Sequence, residues 1–104
     1  MISRTDPIGR QTAREAVTIQ VTMFVKSEGE TIPHPSRMVD VSVCGTKLKT
    51  SLMVPPGLHV RVASAKGPTV AVPAKVVWSR RPVFGEEAEV GLEFLQPVPP
   101  HHWG

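Results

Sequence analysis

The sequence predicts an all-β fold, a small antiparallel barrel or sandwich of about six short strands. Eleven prolines divide the chain into pieces that are too short for long helices. Within these pieces apolar and polar residues alternate, which is the period-two pattern of half-buried strands. Val, Leu, Ile and Phe make up 28 of the 104 residues, enough for one packed core and too few for two domains.

Six segments carry the alternation, and turn-forming residues separate them. In chain order they span residues 17–25, 39–43, 47–52, 58–62, 70–78 and 89–94. A turn is predicted over residues 27–30. In the second segment Val39, Val41 and Val43 are expected to face the core. Pro73 lies inside the fifth segment and predicts an edge position or a bulge there.

Three regions follow from this pattern. Residues 16–95 are expected to form the single β-domain. Residues 1–15 show no alternating apolar pattern, and we therefore expect a flexible N-terminal arm. Residues 96–104 form a Pro-rich C-terminal tail in which no regular helix fits.

Charge and cysteine content restrict the class of protein further. The formal net charge of +3 and the pI near 9.5 permit an anionic partner. Cys44 is the single cysteine, so no internal disulfide can form and no Cys pair exists for zinc. The chain has neither an apolar run of membrane-spanning length nor a signal-peptide pattern, which predicts a cytoplasmic protein without membrane insertion.

The sequence offers no recognisable catalytic or metal-binding motif. It has no Ser-His-Asp signature, no His-Glu-x-x-His and no phosphate-binding Gly-Lys-Ser/Thr loop. The adjacent His101 and His102 lack Cys, Asp or Glu at ligand spacing. We therefore expect a protein that is not an enzyme and needs no metal or cofactor.

Two short motifs and two strands carry a family resemblance. Arg10 and Arg14 form Arg-x-x-x-Arg, and residues 40–45 form Asp-x-Ser-x-x-Gly. Residues 75–78, Lys-Val-Val-Trp, precede a Gly-Leu-Glu-Phe strand at 91–94. In this combination, over about residues 10–95, the chain resembles the PilZ domain family.

The resemblance implies a six-stranded β-barrel that binds cyclic di-GMP, a bacterial second messenger, with the arginine segment wrapped around the ligand. It assigns ligand binding to the residues that define the two motifs: Arg10, Arg14, Asp40, Ser42 and Gly45. The chain departs from the family in two respects. It lacks the helix that often follows the last strand, and Gly9 stands where a second adjacent arginine is common.

The chemistry of these residues agrees with a cyclic dinucleotide. An arginine can bind phosphate with two hydrogen bonds, bind guanine O6 and N7, or stack on a purine. In an extended segment Arg10 and Arg14 would stand about 13 Å apart and could serve different groups. Asp40 can accept hydrogen bonds from the guanine N–H edge, and Ser42 can donate or accept. Gly45 is expected to allow a positive φ or a close approach of the ligand.

Each assignment has a structural alternative. The arginines could be solvated charges on a mobile terminus. Asp40 and Ser42 could close a hairpin through side-chain to backbone bonds, with Gly45 as a turn glycine. Trp78 and Phe94 are assigned to the core. Lys47 and Lys49 are both expected to point outward as charges outside the motif.

The sequence thus predicts a non-catalytic cyclic di-GMP receptor that signals to an unknown downstream protein by ordering its arginine segment. One alternative is a nucleotide-blind PilZ adaptor that binds only proteins. Another is a small-barrel nucleic-acid binder, which the absence of Tyr disfavours because such proteins stack bases on exposed aromatic residues. Without the terminal helix the barrel end is expected either to favour a weak homodimer or to be covered by residues 97–103 as an irregular cap.

Overall fold

The computed structural model describes residues 14–66, 70–82, 84 and 87–103. Six antiparallel strands form a closed barrel, which confirms the predicted fold. In chain order they are β1 (Glu15–Ser27), β2 (Glu30–Val41), β3 (Gly45–Thr50), β4 (His59–Ser64), β5 (Val72–Arg80) and β6 (Ala88–Phe94). Around the barrel they follow the order β1-β2-β3-β6-β5-β4, and β4 closes onto β1. No helix in the described ranges is long and apolar enough to cross a membrane.

A tight hairpin joins the two longest strands at the predicted position. Glu28 and Gly29 connect β1 to β2 with φ angles of 49° and 84°. A two-residue turn with both φ angles positive matches the right-handed twist of the flanking strands. Because the turn is so short, it fixes the pairing register from Ser27 and Glu30 onward.

Strand β2 runs through two prolines that were expected to interrupt the chain. Pro33 and Pro35 pair with Phe24 and Thr22 of β1. Pairing of β2 with β3 begins only at Ser36, so this half of β2 has one neighbouring strand within the described residues. Proline is tolerated on such an edge because its missing N–H need not serve a second ladder.

Three irregularities in register interrupt the strands near one end of the barrel. In β2 the chain advances by two residues, from Met38 to Asp40, while the paired strand β3 advances by only one. In β5 the chain advances by two residues, from Val76 to Trp78, while the paired strand β6 advances by only one. The pairing of β1 with β2 also shifts between Ala16 and Ile19 of β1. A bulge of this kind reverses which face of the sheet the following residue points to.

The bulges correct three predictions from the alternation. Of the three valines assigned inward in the second segment, only Val41 is buried: Met38 fills the core in place of Val39, and Val43 lies beyond the end of β2 and is 43% exposed. Trp78 was assigned to the core, but it lies on the outer face and is 37% exposed. The bulge in β5 lies at Val77 rather than at Pro73, which pairs with Arg61 near the start of the strand.

The C-terminal tail closes one end of the barrel. Residues Pro100–Trp103 form a single 3-10 turn. Trp103 is fully buried, and its ring stacks on Phe94 with a centroid distance of 5.5 Å. Phe94 is therefore a core residue, as predicted. Of the two expectations for the tail, the irregular cap is found, and it covers the barrel end that was expected to favour a homodimer.

Trp103 is predicted to be a major source of stability. Trp103→Ala should lower the free energy of unfolding by about 3–5 kcal/mol, because it removes the largest buried side chain and leaves a cavity. Trp103→Phe should lower it far less, since the indole N–H has no hydrogen-bond partner among the described residues. Urea denaturation measures both changes. Exposed His101→Ala is the control, and equal losses in all three variants would contradict the role of the cap.

Candidate functional site

One row of residues crosses the outer face of the barrel beside the bulges. Ala16 pairs with Asp40, Asp40 with Lys47, Lys47 with Gly91, and Gly91 with Trp78. These pairs place five adjacent strands side by side. With neighbouring strands about 4.8 Å apart, Asp40 and Trp78 stand on the order of 14 Å from each other. The row is long enough to contact several groups of one ligand.

Asp40 lies between two cations at one end of the row. Its Oδ1 accepts a hydrogen bond from Arg14 Nη1 at 2.6 Å, and its Oδ2 lies 4.0 Å from Lys47 Nζ. The side chain of Arg14 is half exposed and that of Asp40 about one-fifth exposed. Ion pairs this open to solvent contribute at most about 1 kcal/mol. The contact between Arg14 and Asp40 can therefore exchange for contacts with a ligand at small cost.

Trp78 forms the other end of the row because Gly91 makes room for it. The indole lies directly over Gly91, where a Cβ atom would overlap the ring. The Arg80 guanidinium carbon lies 5.7 Å from the indole centroid, within reach of a cation–π contact. The row thus ends in a partly exposed aromatic face with a cation beside it.

Between these ends lies an open cleft of about 250 Å³. Its lining combines a cationic end, one carboxylate and an aromatic wall: Arg14, Asp40, Thr46, Lys47, Val77, Trp78, Gly91 and Leu92. Such a combination can bind a ligand that carries both negative charge and a flat ring with N–H donors.

A second row of charges flanks the cleft and is largely neutralised. Arg37 Nη2 lies 2.8 Å from Glu87 Oε1. Glu89 lies 3.1 Å from Arg80 Nη1 and 4.0 Å from Lys49 Nζ. Inside the cleft, by contrast, the two lining cations Arg14 and Lys47 share the single carboxylate of Asp40.

Ser42 and Gly45 shape the turn between β2 and β3. Ser42 is 2% exposed, and its Oγ accepts hydrogen bonds from the N–H groups of Cys44 (3.2 Å) and Gly45 (3.3 Å). The Ser42 N–H donates to the carbonyl oxygen of Gly45 at 2.9 Å. This is the side-chain to backbone closure that the sequence allowed as the alternative interpretation.

Gly45 is required for a reason that the sequence did not reveal. The predicted positive φ is wrong, since among the described glycines only Gly29 and Gly57 adopt one. Instead, a Cβ at Gly45 would overlap the backbone carbonyl of Leu92 in β6. The close approach is made by a neighbouring strand, and it draws β3 against β6 beside the cleft.

The structure unites part of the predicted site and adds to it. Arg14 and Asp40 meet in the cleft, while Ser42 and Gly45 lie in the adjoining turn. Arg10 lies outside the described residues. The other six lining residues were not predicted, and two of them carry chemistry: Lys47 was treated as a charge outside the motif, and Trp78 as core. The signal for Trp78 was Gly91, since a glycine inside a strand often marks close packing of another group.

Fold and site together define a small β-barrel with an outer cleft that is lined by two cations, a carboxylate and an aromatic wall. A comparison with protein-family models matches the PilZ domain over residues 9–103, nearly the whole chain. The chain belongs to the PilZ domain family, a family of cyclic di-GMP receptor and adaptor domains. No curated protein sequence matches it.

The two strand glycines are predicted to respond differently to alanine. Gly45→Ala should lower the free energy of unfolding by about 1–3 kcal/mol, because the new methyl group meets backbone that cannot move aside. Gly91→Ala should cost less stability, because the indole of Trp78 can rotate away. When Gly91→Ala is made in a Trp103→Phe background, acrylamide should quench the fluorescence of the released Trp78 more strongly than it does without Gly91→Ala. Unchanged quenching would show that Gly91 does not hold the indole in place.

Proposed function

We propose that this protein is a non-catalytic receptor for cyclic di-GMP that passes ligand binding on to a protein partner. The observation that supports this most is the convergence of Arg14, Asp40, Lys47 and Trp78 in one outer cleft of a PilZ barrel. The ligand carries two phosphates and two guanines, and the cleft offers a group for each kind of contact.

The cations and the carboxylate serve opposite parts of the ligand. Arg14 and Lys47 bind phosphate oxygens, and Arg14 can do so through two parallel hydrogen bonds. Asp40 accepts hydrogen bonds from the N–H edge of a guanine, as the sequence predicted. Arg10, four residues before Arg14, completes the arginine pair that the family resemblance assigns to the ligand.

Trp78 supplies the stacking surface for a guanine. Its indole packs on Gly91 and is 37% exposed, and the mobile side chain of Arg80, now over the ring, can move aside for the base. Stacking of a base on an aromatic side chain contributes about 1–3 kcal/mol. Ser42 and Gly45 support the site by fixing the turn between Asp40 and Lys47.

Ligand binding replaces the ion pair between Arg14 and Asp40. In the structure the two side chains satisfy each other at 2.6 Å. When phosphate takes the guanidinium and guanine takes the carboxylate, the backbone at Arg14 follows its side chain onto the ligand. The segment before Arg14 is thereby drawn to the barrel, which changes the surface that a partner meets.

Affinity measurements on four single-residue variants test the cleft. Arg14→Ala and Lys47→Ala should weaken cyclic di-GMP binding by about ten- to a hundredfold, because each removes a charge-assisted bond. Trp78→Ala should weaken it by a comparable factor through loss of stacking. Lys49→Ala removes an equal charge two residues from Lys47 but outside the cleft, and should have little effect.

Isothermal titration calorimetry at fixed salt gives these affinities. Equal losses for Lys47→Ala and Lys49→Ala would contradict a specific site and indicate general charge attraction. If the wild-type protein binds no cyclic di-GMP, the nucleotide-blind adaptor becomes the better interpretation.

Hydrogen exchange tests how binding is passed on. Saturating cyclic di-GMP should slow amide exchange in residues 9–14, because Arg10 and Arg14 become tied to the ligand. Amides of β4, which does not line the cleft, are the internal control. Equal exchange with and without ligand in residues 9–14 would exclude ordering of the arginine segment as the signal.

A further inference from the structure

Apart from the cleft, the barrel has a groove on the side formed by β1, β4 and β5. It has a volume of about 410 Å³. Phe24 pairs with Arg61, and Arg61 pairs with Pro73, which places the three residues in one outward row across these strands. Leu95 joins the row because its N–H donates to the carbonyl oxygen of Pro73 at 3.1 Å. The row therefore has apolar residues on both sides of Arg61, with Phe24 on one side and Pro73 and Leu95 on the other.

The charge around this groove is of one sign. Lys26, His59 and Arg61 line it, and none of its lining residues is Asp or Glu. Within the described part of the chain, Lys26 and Arg61 take part in no ion pair, in contrast to Arg37 and Arg80, which both pair with glutamates. The groove keeps its positive charge available for a partner.

We infer that this groove docks an acidic amphipathic segment of a partner protein. An apolar side chain of the segment packs on Pro73 and on Leu95, which is 52% exposed. Neighbouring Asp or Glu side chains pair with Arg61 and Lys26. This arrangement combines an apolar contact with flanking charge complementarity, as protein interfaces commonly do.

The backbone determines how such a segment docks. At this position β1 is paired with both β2 and β4, and β4 with both β1 and β5. No strand edge is free among these elements, so the partner cannot add a strand. It docks through side chains alone, as one face of a helix does when apolar residues recur at i, i+3 and i+4.

The apolar side chains of Pro73 and Leu95 favour a protein over a nucleic acid as the partner. A phosphodiester backbone would also be attracted to Arg61 and Lys26, but it carries no apolar group for the space beside Leu95 and Pro73. A single-stranded nucleic acid would instead stack its bases on several exposed rings, whereas in this groove Phe24 is only partly exposed and the imidazole of His59 is the one exposed ring.

The groove is separate from the nucleotide cleft. The cleft lies over β2, β3, β6 and one end of β5, whereas the groove lies over β1, β4 and the other end of β5. Both can be occupied at once. The inference therefore does not depend on cyclic di-GMP binding and can fail without it.

Peptide selection tests the groove with a defined probe, random 12-residue peptides displayed on phage. The library is selected on the folded wild-type protein and, in parallel, on Arg61→Glu and Lys66→Glu. Arg61 and Lys66 are both exposed, but Lys66 lies outside the groove and serves as the charge-matched control. We expect selected peptides rich in Asp, Glu and large apolar residues that bind Arg61→Glu at least tenfold more weakly and Lys66→Glu unchanged.

Two further measurements separate the possible outcomes. Leu95→Ser should also weaken these peptides, which a purely electrostatic attraction would not show. A random 12-nucleotide RNA should lose no more affinity with Arg61→Glu than with Lys66→Glu, because both variants change the net charge equally. Selected peptides without acidic residues, or peptides insensitive to Arg61→Glu, would overturn the inference. RNA binding that is lost in Arg61→Glu and kept in Lys66→Glu would assign the groove to nucleic acid instead. Cyclic di-GMP affinity should be the same in Arg61→Glu as in the wild type.

Discussion

The period of two along a β-strand decides which side chains this barrel can present to a ligand. In a regular strand all even-numbered residues lie on one face and all odd-numbered residues on the other. In β2 and β5 the even-numbered Met38 and Val76 point into the interior. Asp40 and Trp78 have the same parity as these core residues and would point inward in regular strands. One extra residue in each strand, Val39 and Val77, turns them outward. The cleft exists because both strands bulge at the level where they cross one row of the sheet.

The core tolerates these interruptions because other elements supply the missing contacts. Beyond the bulge in β2, Val41 returns to the interior, and the tail brings Trp103 against Phe94 at the barrel end. The largest buried side chain of the protein thus comes from outside the six strands. A short Pro-rich segment is enough to close this end, because its single indole packs against Phe94 in the core.

The sequence predicted the strands well and their faces less well, for a physical reason. Alternation identifies a strand through the average of many residues, and this average survives one inserted residue. A bulge carries no pattern of its own, so it cannot be located from alternation, and a strand assigned with one unbroken alternation is wrong on one side of the bulge: before it in β2, where Val39 was assigned inward, and after it in β5, at Trp78. Arg14 and Asp40 were found through their motifs, whereas Lys47 and Trp78 could be recognised only when the pairing of β3, β5 and β6 was known.

Hydrogen bonds connect the region of the turn from Ser42 to Gly45 to residues near both ends of the described chain. Arg14, where β1 is about to begin, bonds to Asp40 just before the turn, and Val98 of the tail donates its N–H to the carbonyl oxygen of Val43 at 3.0 Å. Labels on the exposed side chains of Glu15, which pairs with Val41, and of Gln96 would therefore lie near the same few residues. For sensor engineering this is a favourable layout: energy transfer between a pair of fluorophores at these two positions would report on a change in the turn that joins them.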